Sequence, residues 1–365
     1  MEIPLSKPCL GEEEKQAVLE VLDSGFLARG RQVELFEEEF ARYIGVREAI
    51  ATSSGTSALF VALKALGVRE GDRVVTTPFT FVATASTIVQ CGGTPIFCDV
   101  DEETFNLDPS CLEAILKREK SVKGVVLVHL YGLPCDMDAI LTLKRQYGFF
   151  LLEDCAQAHG ASYQGKKVGS FGEVAAFSFY PTKNMTTGEG GMVVTDNSGL
   201  AEECRMLTNH GSKKRYYHEV LGYNFRMTDI AAAIGRVQLR KLEEANKKRR
   251  WNAAFYDREF AALFPQVITP RVPEGRVSVF HQYTLKVRER RDELLSFLRN
   301  AGVGCEVYYP VPLHRQPFLM EMLPDCEFPV AEYLKDRVLS IPVHPQLSED
   351  DLRMVVSLVR EFFSR

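Results

Sequence analysis

The sequence predicts an α/β fold with a mostly parallel central sheet covered by helices on both faces, followed by a smaller α+β domain. Three observations predict it. Short β-branched runs alternate with helical patterns from Ala49 onward, the runs are apolar on both sides of the pleat, and the pattern changes after Trp251. At 365 residues, 45% hydrophobic and 25% charged, the chain is long enough for two domains and at least one large core.

Taken in order, "AIATSS" reads as a strand, "TSALFVALKALG" as a helix, "RVVTTPF" as a strand, "TFVATASTIVQCG" as a helix and "TPIFCDV" as a strand. The series continues through "GVVLVHLYGL", a helix near Asp136 to Tyr147, and the strands "FFLLEDCAQ", "VAAFSFY" and "GGMVVT". A helix from Thr228 to about Arg250, ending in "KKRR", reads as the start of an interdomain connector. The expected division is 1–245 for a large domain with the N-terminal segment and 246–365 for a small one. Within the latter, "FHQYTLKV" and "CEVYYPV" read as strands, "RDELLSFLRNAG" and "SEDDLRMVVSLVREFF" as helices, with Ser348 and Asp351 spaced as a cap.

A net charge of −5 leaves no basic field for a nucleic acid or an anionic membrane, and "KKRR" reads as a solvated helix face. The N-terminus lacks a basic stretch followed by an apolar core, and no apolar run reaches the ~18 residues of a spanning helix. A cytoplasmic protein is expected. Nine scattered cysteines, never spaced C-x-x-C, suggest free buried thiols and neither a disulfide framework nor a zinc site.

Ligands of open α/β sheets sit beyond the carboxyl ends of the strands, and four candidate groups fall there. Ser53, Ser54, Gly55, Thr56 and Ser57 of "SSGTSAL" join a strand to a helix, where free N–H groups, hydroxyls and the helix dipole suit a phosphate monoester; a plain N-cap is the alternative. Neither G-x-G-x-x-G nor a P-loop is present. Asp154 ends an apolar strand, where a carboxylate can keep a ring nitrogen protonated or simply cap a helix. Gln157 could reach a phenolic oxygen of the same ring; His159 is assigned no role. In "TPFTFVAT", Phe79 reads as core, whereas Phe81, at a helix start, could stack on a planar ligand.

The fourth group is "FSFYPTKNMTTGEGG". Lys183 stands 29 positions after Asp154, two strands further round the sheet, beside Ser178 at a strand end and ahead of Gly188, Gly190 and Gly191. A solvated loop lysine is the bland reading. A desolvated amine with a lowered pKa, able to act as nucleophile and proton carrier, is the sharp one. A phosphate cradle, a stacking ring, a carboxylate and a lysine, in that order along one α/β domain, describe a pyridoxal-phosphate site.

The residues that carry this pattern resemble the sugar aminotransferases of the DegT/DnrJ/StrS family, pyridoxal-phosphate enzymes of fold type I, from end to end. "SSGTSAL", "TPFTFVATAST", "EDCAQAHGA", "SFYPTKNMTTGEGGMVVT", "GYNFRMTDIAAAIGRVQL" and "EVYYPVPLHRQP" carry the resemblance. It implies Lys183 as the Schiff-base lysine, Asp154 as partner of the pyridinium nitrogen, Phe81 as stacking ring and Gln157 near the cofactor's 3-hydroxyl. Gly55, Thr56, Ser57 and Ser178 are implied as phosphate contacts. It further implies a homodimer with sites at the interface, Asn224 reaching the neighbouring subunit's phosphate. Tyr308, Tyr309 and His314 are the candidates for sugar contacts, with a structural Pro-rich turn as the alternative.

The expected reaction is transamination from L-glutamate to a nucleotide-linked keto sugar, a deoxythymidine-diphosphate 3-keto-6-deoxyhexose in particular. A 4-keto nucleotide sugar or scyllo-inosose is the rival within the enzyme class, and a non-catalytic cofactor- or sugar-binding regulator the rival outside it.

Overall fold

The apolar alternation of the first half folds as a seven-stranded sheet in the computed structural model, which describes residues 2–323 and 326–365. Its strands are β1 (Glu48–Thr52), β2 (Arg73–Thr76), β3 (Thr94–Phe97), β4 (Val122–Val128), β5 (Phe150–Asp154), β6 (Val174–Ser178) and β7 (Gly191–Thr195). They lie in the order β1-β7-β6-β5-β4-β2-β3, and only β7 runs against the rest. Both faces are covered, as the two-sided apolar runs predict. In β4, Val125 and Leu127 pack into one cluster while Val126 between them packs into another on the opposite face.

This order corrects one expectation. β6 is the immediate neighbour of β5, with Asp154 opposite Ala176, so Lys183 follows one strand round the sheet rather than two.

The connector helix runs from Asp229 to Phe260, ten residues beyond the expected end near 250. No glycine or proline interrupts it there, and Ala253, Phe255, Tyr256 and Phe260 are drawn into a second core. That core gathers around a three-stranded sheet of Val267–Ile268, Tyr283–Val287 and Val338–Ile341, with the helices Arg291–Asn300 and Glu349–Ser364. Ile3 packs there too. The cap at Ser348 forms as spaced: its Oγ accepts the Asp351 N–H at 3.1 Å and its own N–H donates to Asp351 Oδ2 at 2.9 Å.

"CEVYYPV" is not the expected strand. Glu306 alone bridges to Ser340; Pro310 and Pro312, without N–H groups, cannot extend the ladder, and the segment leaves toward the large sheet. Among the described residues no helix is long and apolar enough to cross a membrane; all nine cysteines are free, but Cys9 and Cys326 are exposed and Cys111 is half-buried, against the expectation of burial.

Candidate active site

A cavity of about 610 Å³ lies beyond the carboxyl ends of β1, β5 and β6, which deliver Gly55 and Thr56, Asp154, and Ser178 to its wall. At the end of β1 the chain turns into the helix Gly55–Ala65, capped by Ser54, whose Oγ accepts the Ser57 N–H at 3.1 Å. Ser57 corrects a prediction. It is buried, its Oγ accepts the Ser54 N–H at 2.9 Å and donates to Ser54 O at 2.8 Å, so it braces the turn and does not line the cavity. Gly55 and Thr56 do line it, at the positive end of the helix. A Cβ on Gly55 would come within 2.5 Å of Ser178 Cβ, so only glycine lets the turn close on Ser178.

Asp154 is buried. Its Oδ2 accepts from Thr84 Oγ1 at 2.8 Å and its Oδ1 from the Ala156 N–H at 3.1 Å. Burial outweighs these neutral donors and raises its pKa above the ordinary carboxylate value, the signature of an acid awaiting a cation. Lys183 sits in the turn after β6 with part of its surface open to the cavity. The protein around the amine desolvates it and lowers its pKa from 10.5 to about 8, an effect Asp154 opposes.

The threonines and glycines after Lys183 hold that turn. Thr186 Oγ1 donates to Phe179 O at 2.8 Å and accepts the Gly188 N–H at 3.0 Å, with Gly188 at φ 83°. Asn184 Nδ2 donates to Asn246 Oδ1 at 2.8 Å and to Val279 O at 3.0 Å, pinning the turn to the long helix.

The two phenylalanines divide as expected: Phe79 is 0% exposed in the core, and Phe81 is 56% exposed at the cavity wall. Gln157 Oε1 accepts the Tyr131 N–H at 2.8 Å and its Nε2 donates to Tyr309 Oη at 3.0 Å, which leaves one amide N–H uncommitted. Tyr131 Oη donates in turn to Tyr308 O, so the second-core segment reaches the cavity through this network and both Tyr308 and Tyr309 line it. Tyr131 escaped the sequence reading, although its place directly after β4 marks the same edge of the sheet as Asp154. Thr84, Tyr180, Glu189, His281 and Gln282 also line the cavity unpredicted.

Two other expected residues lie elsewhere in the chain. His314 is buried with its Nε2 bonded to Glu332 Oε1 at 2.8 Å and does not line the cavity. Proline-flanked Leu313 turns its backbone N–H to Pro78 O, which fixes His314 behind the wall rather than in it. Asn224 is exposed, its Oδ1 accepting from Arg226 Nε at 2.9 Å, outside its own chain's cavity. His159 packs against Phe177 and Phe179, ring centroids 5.5 and 5.7 Å away, and burial first, then Lys183, brings its pKa down to about 3.

Among the described residues His129, Glu153 and Cys155 could geometrically group around a metal. The protein already fills that place: Glu153 accepts from His129 Nε2 at 3.1 Å and from the N–H groups of Gly169, Phe171 and Gly172 at 2.7–2.8 Å. His129 Nδ1 accepts the Cys135 N–H at 3.0 Å, so no ring nitrogen is spare.

An amine brought toward neutrality, a buried acid one strand away and an anion cradle make an α/β enzyme of amine–carbonyl exchange. Residues 8–360 match the DegT/DnrJ/EryC1/StrS aminotransferase family, and the chain belongs to it. It is 41% identical to the spore coat polysaccharide biosynthesis protein SpsC of Bacillus subtilis, over 98% of this chain and 96% of that one. It is 40% identical to the dTDP-3-amino-3,4,6-trideoxy-alpha-D-glucose transaminase of Streptomyces venezuelae, over 98% of this chain and 93% of that one. The crystal structure of S. venezuelae DesV in complex with a ketimine intermediate superposes with a TM-score of 0.93 at 39% identity, covering 97% of this chain and 95% of that one. The expected aminotransferase fold is the one found.

Proposed function

We propose that the protein transfers an amino group from L-glutamate to the keto group of a nucleotide-linked hexose, with pyridoxal 5'-phosphate bound in the 610 Å³ cavity. The observation that carries this reading is the pairing of Lys183, its amine near neutrality, with Asp154, a buried acid without a full counter-charge, beside the Gly55–Ser178 cradle. The residues fit the cofactor. Asp154 would hold the ring nitrogen protonated, Phe81 would lie against the ring face, and the uncommitted N–H of Gln157 would meet the ring hydroxyl. Gly55, Thr56 and Ser178 would hold the phosphate.

When bound, the cofactor supplies the carbonyl that takes up the amino group and a ring that accepts electrons from the substrate carbon. Lys183 Nζ would hold the cofactor covalently and, once released from it, would carry the proton to and from the reacting carbon. Tyr308 and Tyr309 face the same space and are the sugar contacts of this reading.

Charge balance supports a homodimer with shared sites. Lys183 is the one cation among the described residues lining the cavity, against Asp154 and Glu189, yet the ligands bring a phosphate and a sugar diphosphate. Further donors must come from outside the chain, as expected if Asn224 of one subunit reaches the phosphate in the other. Phe26 at 78% and Leu221 at 83% exposed are the apolar side chains such an interface would cover.

The preferred acceptor in this reading is a dTDP-linked 3-keto-6-deoxyhexose, in line with the S. venezuelae relative's name and the "HQYTLKV" and "EVYYPVPLHRQP" segments. A product assay across keto sugars varying base, keto position and C6 group, with scyllo-inosose included, tests it. Preference for a 4-keto sugar or the inositol ketone overturns the carbon assignment, and no loss of cofactor colour with glutamate alone overturns the enzyme reading in favour of a regulator.

Gly55→Ala is expected to press the helix start away from the strand end at Ser178, whose Cβ and Cα would lie 2.5 and 3.1 Å from the added methyl, and to weaken cofactor retention by about tenfold or more. Equilibrium dialysis against the cofactor reads this directly.

A further inference from the structure

A second cavity, of about 520 Å³, shares Lys183 with the first and is otherwise built from Asn184 and Thr186 of the same turn, the N-terminal segment, the long helix and Pro345. Its lining is cationic. Lys7, Arg240, Lys248 and Arg249 line it without an ion pair to a carboxylate among the described residues. Lys241 is neutralised by Glu13 and Glu14, and Glu244, the acid of the lining, lies 3.9 Å from Lys247.

Arg249 distinguishes this cavity from a patch of surface lysines. It is 4% exposed, its Nη1 donates to the carbonyls of Phe280 at 3.1 Å and His281 at 3.3 Å, and its buried Nε has no partner. Two carbonyl contacts do not replace a counter-ion, and a desolvated guanidinium is costly without one. Arg240 and Lys248, eight residues apart on the helix, line the cavity with Arg249; Arg240 Nη1 donates to Arg236 O at 3.4 Å and Lys248 Nζ lies 3.9 Å from the Trp251 ring, so neither is held by a carboxylate among the described residues.

The geometry points to a second ligand site: this cavity binds a small phosphate- or carboxylate-bearing anion against Arg249, apart from the site of amine exchange. The inference is independent of the identity of the keto sugar and rests on the proposed function only in that the cofactor fills the first cavity.

Calorimetric titration of the cofactor-loaded protein at low ionic strength, with inorganic phosphate in one arm and succinate in the other, tests it. Cofactor loading occupies the first cavity's phosphate cradle. One saturable site per chain is expected for at least one probe, weakened about tenfold or more by the double substitution R240A/K248A. Phosphate alone binding assigns a phosphoryl ligand, succinate alone a dicarboxylate. Arg249→Gln should abolish binding; because Arg249 also ties two carbonyls, the surface pair keeps the test decisive if that variant does not fold. No saturable binding of either probe, or binding unchanged in R240A/K248A, overturns the site.

Discussion

Lys183→Ala is expected to remove transaminase turnover by at least about 10⁴-fold and to leave the purified protein without the yellow colour of lysine-bound cofactor. In the proposed reaction one side chain performs two tasks, covalent attachment and proton carriage, so its loss would not be shared out among neighbours. The other nitrogen bases nearby are poorly suited to substitute: burial pushes His281, in the cavity wall, well below its ordinary pKa, and His159, which does not line the cavity, packs against two phenylalanines. A steady-state assay together with the visible spectrum checks this, and an active, coloured variant would overturn the assignment. The wild-type apoprotein offers a second readout. With the amine's pKa lowered from 10.5 to about 8, capture of added cofactor should slow as pH falls through about 8, because the protonated amine cannot attack. At pH 7.5 about a quarter of such amines are neutral, against about a thousandth for an unperturbed lysine. A capture rate that levels off only above pH 10 would show that burial does not tune this group.

The sheet was legible because each of its strands is a short apolar run with punctuation on both sides, and Asp154, Ser178 and Gly55 were legible because they sit where those runs stop. What failed to show in the sequence depends on partners far along the chain. Nothing local says that Ser57 will spend its hydroxyl on Ser54, or that His314 will turn to Glu332 behind the cavity wall. Tyr131 acts through Gln157, 26 positions away, and through Tyr308, 177 positions away, contacts that periodicity cannot report. The helix beyond residue 250 was misjudged for a related reason: its charged "KKRR" looks like an ending, yet Arg249 is buried and Tyr256 lies at the centre of the second core. Tertiary burial, rather than local propensity, sets that boundary.

Asp154→Asn is expected to keep the fold and the cofactor but to lower turnover by roughly 10²–10³-fold, the scale of removing one fixed electrostatic partner from a reacting centre. The amide is isosteric, its Oδ1 can still accept the Ala156 N–H, and its Nδ2 can donate to Thr84 Oγ1 once that hydroxyl rotates. What it cannot do, in the proposed reaction, is hold a ring N–H⁺, so electrons arriving from the substrate carbon would meet an uncharged ring. Two readouts separate this from simple damage. A cofactor methylated on its ring nitrogen carries a charge that needs no proton, and should restore part of the lost rate. Asp154 also opposes the lowering of the Lys183 pKa, so its removal should move the acid limb of cofactor capture to a pH below that of the wild type. Loss of rate with neither rescue nor displacement of that limb would mean that Asp154 serves packing alone.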